Sequence, residues 1–230
     1  MSIKESSRTG WSRRGLLRGG VALGAFMAFP GCASAQGRRI GPNDRINVAS
    51  IGAGGMGATN MSALTAENIV AYADPDLGRV DRSLRDGDGV LRPERVALKA
   101  AYDAAQHFTD YRKMLDERKD LDAVVIATPD HHHALAAKMA MERGLHVYVQ
   151  KPLTYSVQES RMLLDMSRKN PGLMTQMGNQ GHSSDDGRRV VELIRGGAIG
   201  KVSEVHIWTN RPVWPQGVKK PDAVAPPASL

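Results

Sequence analysis

The chain has 230 residues, 24% of them charged, and a formal net charge of +7. Residues 1–35 hold five basic side chains against one acid, so only +3 remains for residues 36–230, and the basic excess is no argument for nucleic-acid binding. The single cysteine, Cys32, excludes an intrachain disulfide and a thiolate metal site.

The N-terminal 35 residues read as an address. Arg13-Arg14 precede the apolar run VALGAFMAF, which is too short to span a bilayer. Ala33–Ala35 then offers a small-residue cleavage site. This predicts a twin-arginine signal over 1–35, the twin-arginine export machinery as partner, and a periplasmic or secreted product. An ordinary secretory signal or a short membrane anchor is the alternative. The PGC before Ala33 also resembles a poor lipobox that would make Cys32 lipid-bearing, but Phe29 and Pro30 upstream argue against it.

From residue 46 onward, short apolar runs alternate with amphipathic segments, the pattern of strand–helix–strand units on a parallel sheet. INVASIG (46–52) predicts a strand, followed by a glycine turn and a helix to about Glu67. NIVAYAD (68–74) predicts the second strand; RPERVALKAAYDAAQHF and DYRKMLDERKD predict helices. LDAVVIATP (121–129) predicts a buried strand, and HHHALAAKMAMERG a helix that Gly144 ends. LHVYVQKP, SVQESRMLLDMSRKN and GLMTQMGN continue as strand, helix and strand, and DDGRRVVELIRGGAIG as a helix stopping at Gly196-Gly197. KVSEVHIWTN (201–210) alternates imperfectly and predicts a strand of a second, half-exposed sheet. The proline-rich stretch from 212 reads as a loop or linker.

IGAGGMG places Gly52, Gly54 and Gly57 in the G-x-G-x-x-G spacing directly after a strand and at the start of a helix. The first glycine permits the tight turn, the second lets backbone approach a pyrophosphate, and the third lets helix pack on strand. Asp74, 22 residues after Gly52, ends the second strand, where a carboxylate hydrogen-bonds an adenosine ribose. Together they predict a bound dinucleotide, NAD ahead of NADP because Asp74 has no immediate basic neighbour, with Arg79 the residue that keeps NADP open. His131, His132 and His133 are consecutive and point in different directions, so they read as cleft residues rather than as one metal site. Thr128 and Pro129 close a strand at the carboxyl edge of the sheet, where open α/β folds bind ligands.

Taken together, the IGAGGMG turn, DYRKML, ATPDHHH, GLHVYVQKP and GNQGH resemble the glucose–fructose oxidoreductase / inositol dehydrogenase (Gfo/Idh/MocA-type) family, in particular its exported bacterial branch. The resemblance implies a Rossmann-type parallel sheet with helices on both faces over 36–178. It also implies, over 179–230, the beginning of an α/β domain with an open, mostly antiparallel sheet. NAD(P) would lie between the two, with a sugar, polyol or other carbohydrate-like alcohol as substrate, and a homo-oligomer when full length. Carried over by position, Met56 and Gly57 sit on the pyrophosphate and Asp74 on the ribose. Asp130 and His133 match the asparagine and histidine of the family's T-P-N-x-x-H stretch beside the cofactor. Gln150, Lys151 and Pro152 stand where the family has Glu-Lys-Pro, and Asn179 matches an asparagine near the nicotinamide. Lys151 is the catalytic candidate: an ammonium there would hydrogen-bond the substrate hydroxyl and stabilise the developing alkoxide.

Two departures from the family pattern stand out. Gln150 removes a carboxylate that would favour the charged lysine. The family's Asp-x-x-x-His pair has no counterpart after Asn179, so the chain reads as a partial form of a longer protein. Two alternatives to a sugar or polyol oxidoreductase therefore stay open: an NAD-dependent glycosidase of the same architecture with no net redox, and a non-catalytic nucleotide-binding fragment.

Overall fold

In a computed structural model, residues 41, 43–210, 217–220, 222, 223 and 225 are described. The export signal expected over 1–35, with Arg13, Arg14 and Cys32, lies outside the described residues.

The apolar runs form the strands β1 (Asn47–Ile51), β2 (Asn68–Ala73), β3 (Gln106–Phe108), β4 (Ala123–Ile126), β5 (His146–Gln150) and β6 (Thr175–Gly178). The helices are α1 (Met56–Ser62), α2 (Leu77–Ser83), α3 (Val96–Ala104), α4 (Tyr111–Glu117), α5 (His133–Glu142), α6 (Val157–Lys169) and α7 (Asp185–Arg195). The six strands make one sheet in the order β3-β2-β1-β4-β5-β6, every neighbouring pair parallel. This is the doubly wound Rossmann arrangement, and its strand order reverses between β1 and β4.

Alternate residues on the strands feed two separate cores, as a sheet covered on both faces requires. Ala49, Ile51, Val124, Ile126, Val147 and Val149 pack under α4, α5 and α6. Val48, Tyr72 and Val125 pack under α1 and α3 with Met61, Leu98 and Tyr102. The register of β1 with β2 skips Val70, a bulge that lets Val70 and Ala71 both join the first core and returns Tyr72 to the second. On α5, Ala134, Ala137 and Ala140 are fully buried at helical spacing, which brings that helix close to β4 and β5. Two helix starts are capped by side chains as their sequences suggest: Asp110 accepts from the Arg112 N–H, and Ser156 forms a reciprocal capping box with Glu159.

The structure departs from the expected elements in five places. The first helix ends at Ser62 rather than near Glu67, because Ser62 and Thr65 turn their hydroxyls back onto the carbonyls of Ala58 and Ser62. An extra helix, α2, follows Asp76, whose carboxylate accepts the Arg79 N–H at 2.8 Å and buries Val80. Gln106–Phe108 leaves the expected helix to pair with β2, since an open parallel edge satisfies its backbone and Phe108 fills the core. The strand expected over 201–210 does not form: no described strand pairs with it, and Ile207 and Trp208 stand exposed. The antiparallel sheet expected after Asn179 is likewise absent among the described residues; α7 and an extended run follow instead.

Candidate active-site cleft

The turns after β1 to β5 converge at the carboxyl edge of the sheet around a cleft of about 970 Å³. Its near wall is the glycine turn. Gly52 has φ 79° and donates its N–H to the Ala73 carbonyl at 2.8 Å, joining the ends of β1 and β2. A Cβ on Gly57 would lie 2.1 Å from the Gly52 carbonyl oxygen, so only glycine lets α1 close onto β1. Gly55, also at positive φ, begins α1 without a side-chain cap, which leaves the first N–H groups of that helix unclaimed by any side chain. Gly54 and Met56 line the cleft, and Met56 is largely exposed.

Asp74 stands where the acidic residue of a dinucleotide fold should. One carboxylate oxygen accepts the Ala53 N–H at 2.9 Å and the other accepts the Asp76 N–H at 3.0 Å. The two backbone bonds aim the carboxylate at the cleft and keep its charge beside the glycine turn. Arg79 lines the same end of the cleft. Beyond it, Tyr111 and His132 meet edge to face, with the Tyr111 hydroxyl 3.1 Å from His132 Nε2. Burial pushes the Tyr111 phenol up and His132 down, the latter helped by the nearby charges of His131, Arg112 and His133. The Tyr111 hydroxyl and His132 Nε2 share a hydrogen bond, and both shifts favour the neutral forms, so the pair makes an uncharged patch of cleft wall. Tyr111 and His132 fall in the DYRKML and ATPDHHH motifs, but nothing in the sequence pairs the two.

At the far end, Thr128, Pro129 and Asp130 follow β4, and Gln150 and Lys151 follow β5. The Thr128 hydroxyl is buried without a hydrogen-bond partner, a polar atom left over for a ligand. Lys151 is exposed to the cleft, and its ammonium has no hydrogen-bond or ion-pair partner among the described residues. Gln150 is buried and turns inward: its Oε1 accepts the Lys151 N–H at 2.8 Å and its amide faces Asn60. His133 is also buried, with Nδ1 2.6 Å from the Pro152 carbonyl and Nε2 2.8 Å from the Thr128 carbonyl. It lines the cleft, with a backbone carbonyl beside each of its ring nitrogens. Pro152 contributes a carbonyl to this tie rather than a surface to the cleft, and Gly57 acts from beneath it. Asn179 follows β6 at the same edge but does not line the cleft. No group of three or more metal-ligating side chains occurs among the described residues.

This donor set suits a dinucleotide. Gly52 and Gly57 sit where a Cβ would meet backbone, Gly54 and Gly55 leave open space beside the turn, the start of α1 offers N–H groups, and a fixed carboxylate and a spare hydroxyl stand along the same wall.

Comparison with known proteins agrees. The family model GFO_IDH_MocA, described as an oxidoreductase family with an NAD-binding Rossmann fold, matches residues 46–178. A glycosyl hydrolase family 109 protein of Saccharopolyspora erythraea is 29% identical over 220 residues, covering 88% of this chain and 46% of that protein. An inositol 2-dehydrogenase of the same organism is 27% identical over 168 residues, covering 71% of this chain and 45% of the relative. The chain thus spans under half the length of these curated relatives. Among solved structures, a scyllo-inositol dehydrogenase from Lactobacillus casei, bound to NAD(H) and scyllo-inositol, superposes with a TM-score of 0.55 at 22% identity, covering 68% of this chain and 43% of that one. That likeness is one of fold.

Proposed function

Because the chain belongs to the Gfo/Idh/MocA oxidoreductase family and carries its NAD-binding Rossmann domain, we propose that the protein is an NAD-dependent oxidoreductase acting on a CH–OH group of a sugar, polyol or related alcohol. The observation that carries this reading is one cleft with Asp74 at one end and an unpartnered Lys151 at the other. Gly52, Gly54 and Met56 would hold the pyrophosphate, Asp74 the adenosine ribose, and Thr128 with Asp130 the wall toward the nicotinamide. Bound there, NAD supplies the nicotinamide that accepts hydride. Lys151 would donate a hydrogen bond to the substrate hydroxyl and stabilise the oxygen as its proton leaves. Asp74 favours NAD over NADP, because its charge would oppose a 2′-phosphate, while Arg79 in the same cleft is a cation that would soften that preference.

The test is direct. Native mass spectrometry of the chain with added NAD should report one dinucleotide per chain, and no bound nucleotide would sink the reading. Incubation with a panel of inositols and aldoses should then yield oxidised products. A second reading, transient oxidation that ends in cleavage of a glycosidic bond, draws support from the family 109 relative. Product analysis separates the two: an oxidised sugar for one, free sugar and aglycone for the other.

Export by the twin-arginine route belongs to the same proposal, since that route carries folded proteins and a nucleotide loaded before export would travel inside. Replacing Arg13 and Arg14 by lysine should leave the protein in the cytoplasm, and unchanged export would refute it. A homo-oligomer of the full-length protein is also proposed, to be checked by its mass in solution.

A further inference from the structure

His133 is the one buried ionisable ring at the cleft, and its contacts are unusual. It opens α5, is 1% exposed, and has a backbone carbonyl at each ring nitrogen: Thr128 behind it on the β4 turn and Pro152 on the β5 turn, 19 residues ahead. A neutral imidazole has one N–H and one lone pair, so one of these contacts would set a lone pair against a carbonyl oxygen. Only a ring carrying both protons donates to both carbonyls at once. The two carbonyls belong to the residues that flank the far end of the cleft. Thr128 carries the spare hydroxyl, and Pro152 follows Lys151 directly. Asp130, His131, His132 and Lys151 are the other ionisable groups on this wall, and Asp130 is the acid among them.

We infer that His133 is a positioning residue: a double donor that ties the β4 turn to the β5 turn and so fixes Lys151 relative to Thr128. Its consequence for catalysis rests on the oxidoreductase reading above; the tie itself rests on the ring's two contacts alone. The rest of the corner fits. Lys151 is further held through its own N–H by the Gln150 side chain, which is buried, so the backbone is pinned on both sides while the ammonium stays free. A lysine on an exposed turn gains directional precision only if the backbone beneath it does not move.

The experiment uses the full chain labelled with 15N in its histidines. The His133 ring should show a directly bonded proton on both nitrogens, and a ring with one N–H would overturn the tie. His133→Gln then presents one donor nitrogen and one acceptor oxygen to the two carbonyls. Exchange of the Lys151 amide hydrogen should accelerate about tenfold in that variant, as expected when a local opening becomes easier. Leu163→Ala, a truncation in the core away from the cleft, serves as the control for general destabilisation and should leave Lys151 exchange unchanged. If Lys151 exchanges equally in His133→Gln and the unaltered chain, the inference fails. If His133→Gln does not fold, the ring spectrum of the unaltered chain decides. Failure of the unaltered chain to bind NAD would remove the oxidoreductase reading while the ring spectrum and Lys151 exchange still judge the tie.

Discussion

Gly57 and Tyr72 show how differently two buried positions answer to a single added or removed group. At Gly57 a methyl would meet the Gly52 carbonyl oxygen at 2.1 Å, and that oxygen belongs to backbone that cannot swing away. Gly57→Ala should therefore destabilise the chain by about 1–3 kcal/mol, the range for overpacking, and open the turn that receives the pyrophosphate. Chemical denaturation and NAD titration measure the two effects, and unchanged NAD affinity would contradict the cradle. At Tyr72 the ring packs edge-on against Tyr102 at 5.0 Å, but its hydroxyl is buried with no hydrogen-bond partner. Burial, with Tyr102 beside it, pushes that phenol far up. Removing an unsatisfied hydroxyl removes its desolvation penalty, so Tyr72→Phe should be neutral or stabilising by up to about 1 kcal/mol. A fall in the urea midpoint would mean that an ordered water satisfies the hydroxyl.

Among the elements, β5 and the approach to β6 are joined through a titratable side chain. His146 begins β5, and its Nδ1 accepts the Met174 N–H at 3.0 Å just before β6. Burial holds His146 below the ordinary histidine range of about 6.5, the Asp122 charge opposing only in part, and burial depresses His132 likewise. A histidine depressed in the folded state binds its proton more readily when unfolded. The stability it protects is complete above about pH 6.5 and is lost as pH falls below that value toward the folded one. The urea midpoint should therefore be lower at pH 5.5 than at 7.5. His146→Asn keeps a side-chain acceptor for Met174 without titrating, and should shrink that difference; an unchanged difference would exonerate His146. Elements of this kind were readable in advance where pattern and chemistry coincided. Alternating apolar runs marked β1, β2, β4, β5 and β6, and the glycine turn with Asp74 marked one end of the cleft. What stayed hidden depended on partners distant in sequence. Gln106–Phe108 looks helical until β2 offers it an edge, α2 has only Val80 to bury, with Leu84 just beyond its end, and 201–210 needs a strand that no described residue supplies. Nothing local to His133 shows that two carbonyls will meet its ring.

For the molecule as a whole, the cleft draws on both halves of the sheet: β1, β2 and β3 bring the glycine turn, Asp74 and Tyr111, while β4 and β5 bring Thr128 and Lys151. A dinucleotide seated there touches elements on either side of the switch point and so must stabilise them jointly. At a concentration 100 times its Kd, NAD should add about 2.7 kcal/mol to unfolding if it binds only the folded chain. Gly57→Ala should lose most of that increment. The same ligand should leave α7 untouched. That helix has no buried residue, and Val190, Val191, Leu193 and Ile194 form one exposed apolar face on it. An environment-sensitive hydrophobic dye should bind this face with or without NAD. Replacing Val190 and Leu193 together by aspartate should cut dye emission while holding NAD affinity within about twofold, as expected for distant sites without shared partners. Dye displaced by NAD, or NAD affinity lost with the double substitution, would mean that α7 and the cleft are coupled, and that the cofactor site extends beyond the six-stranded sheet.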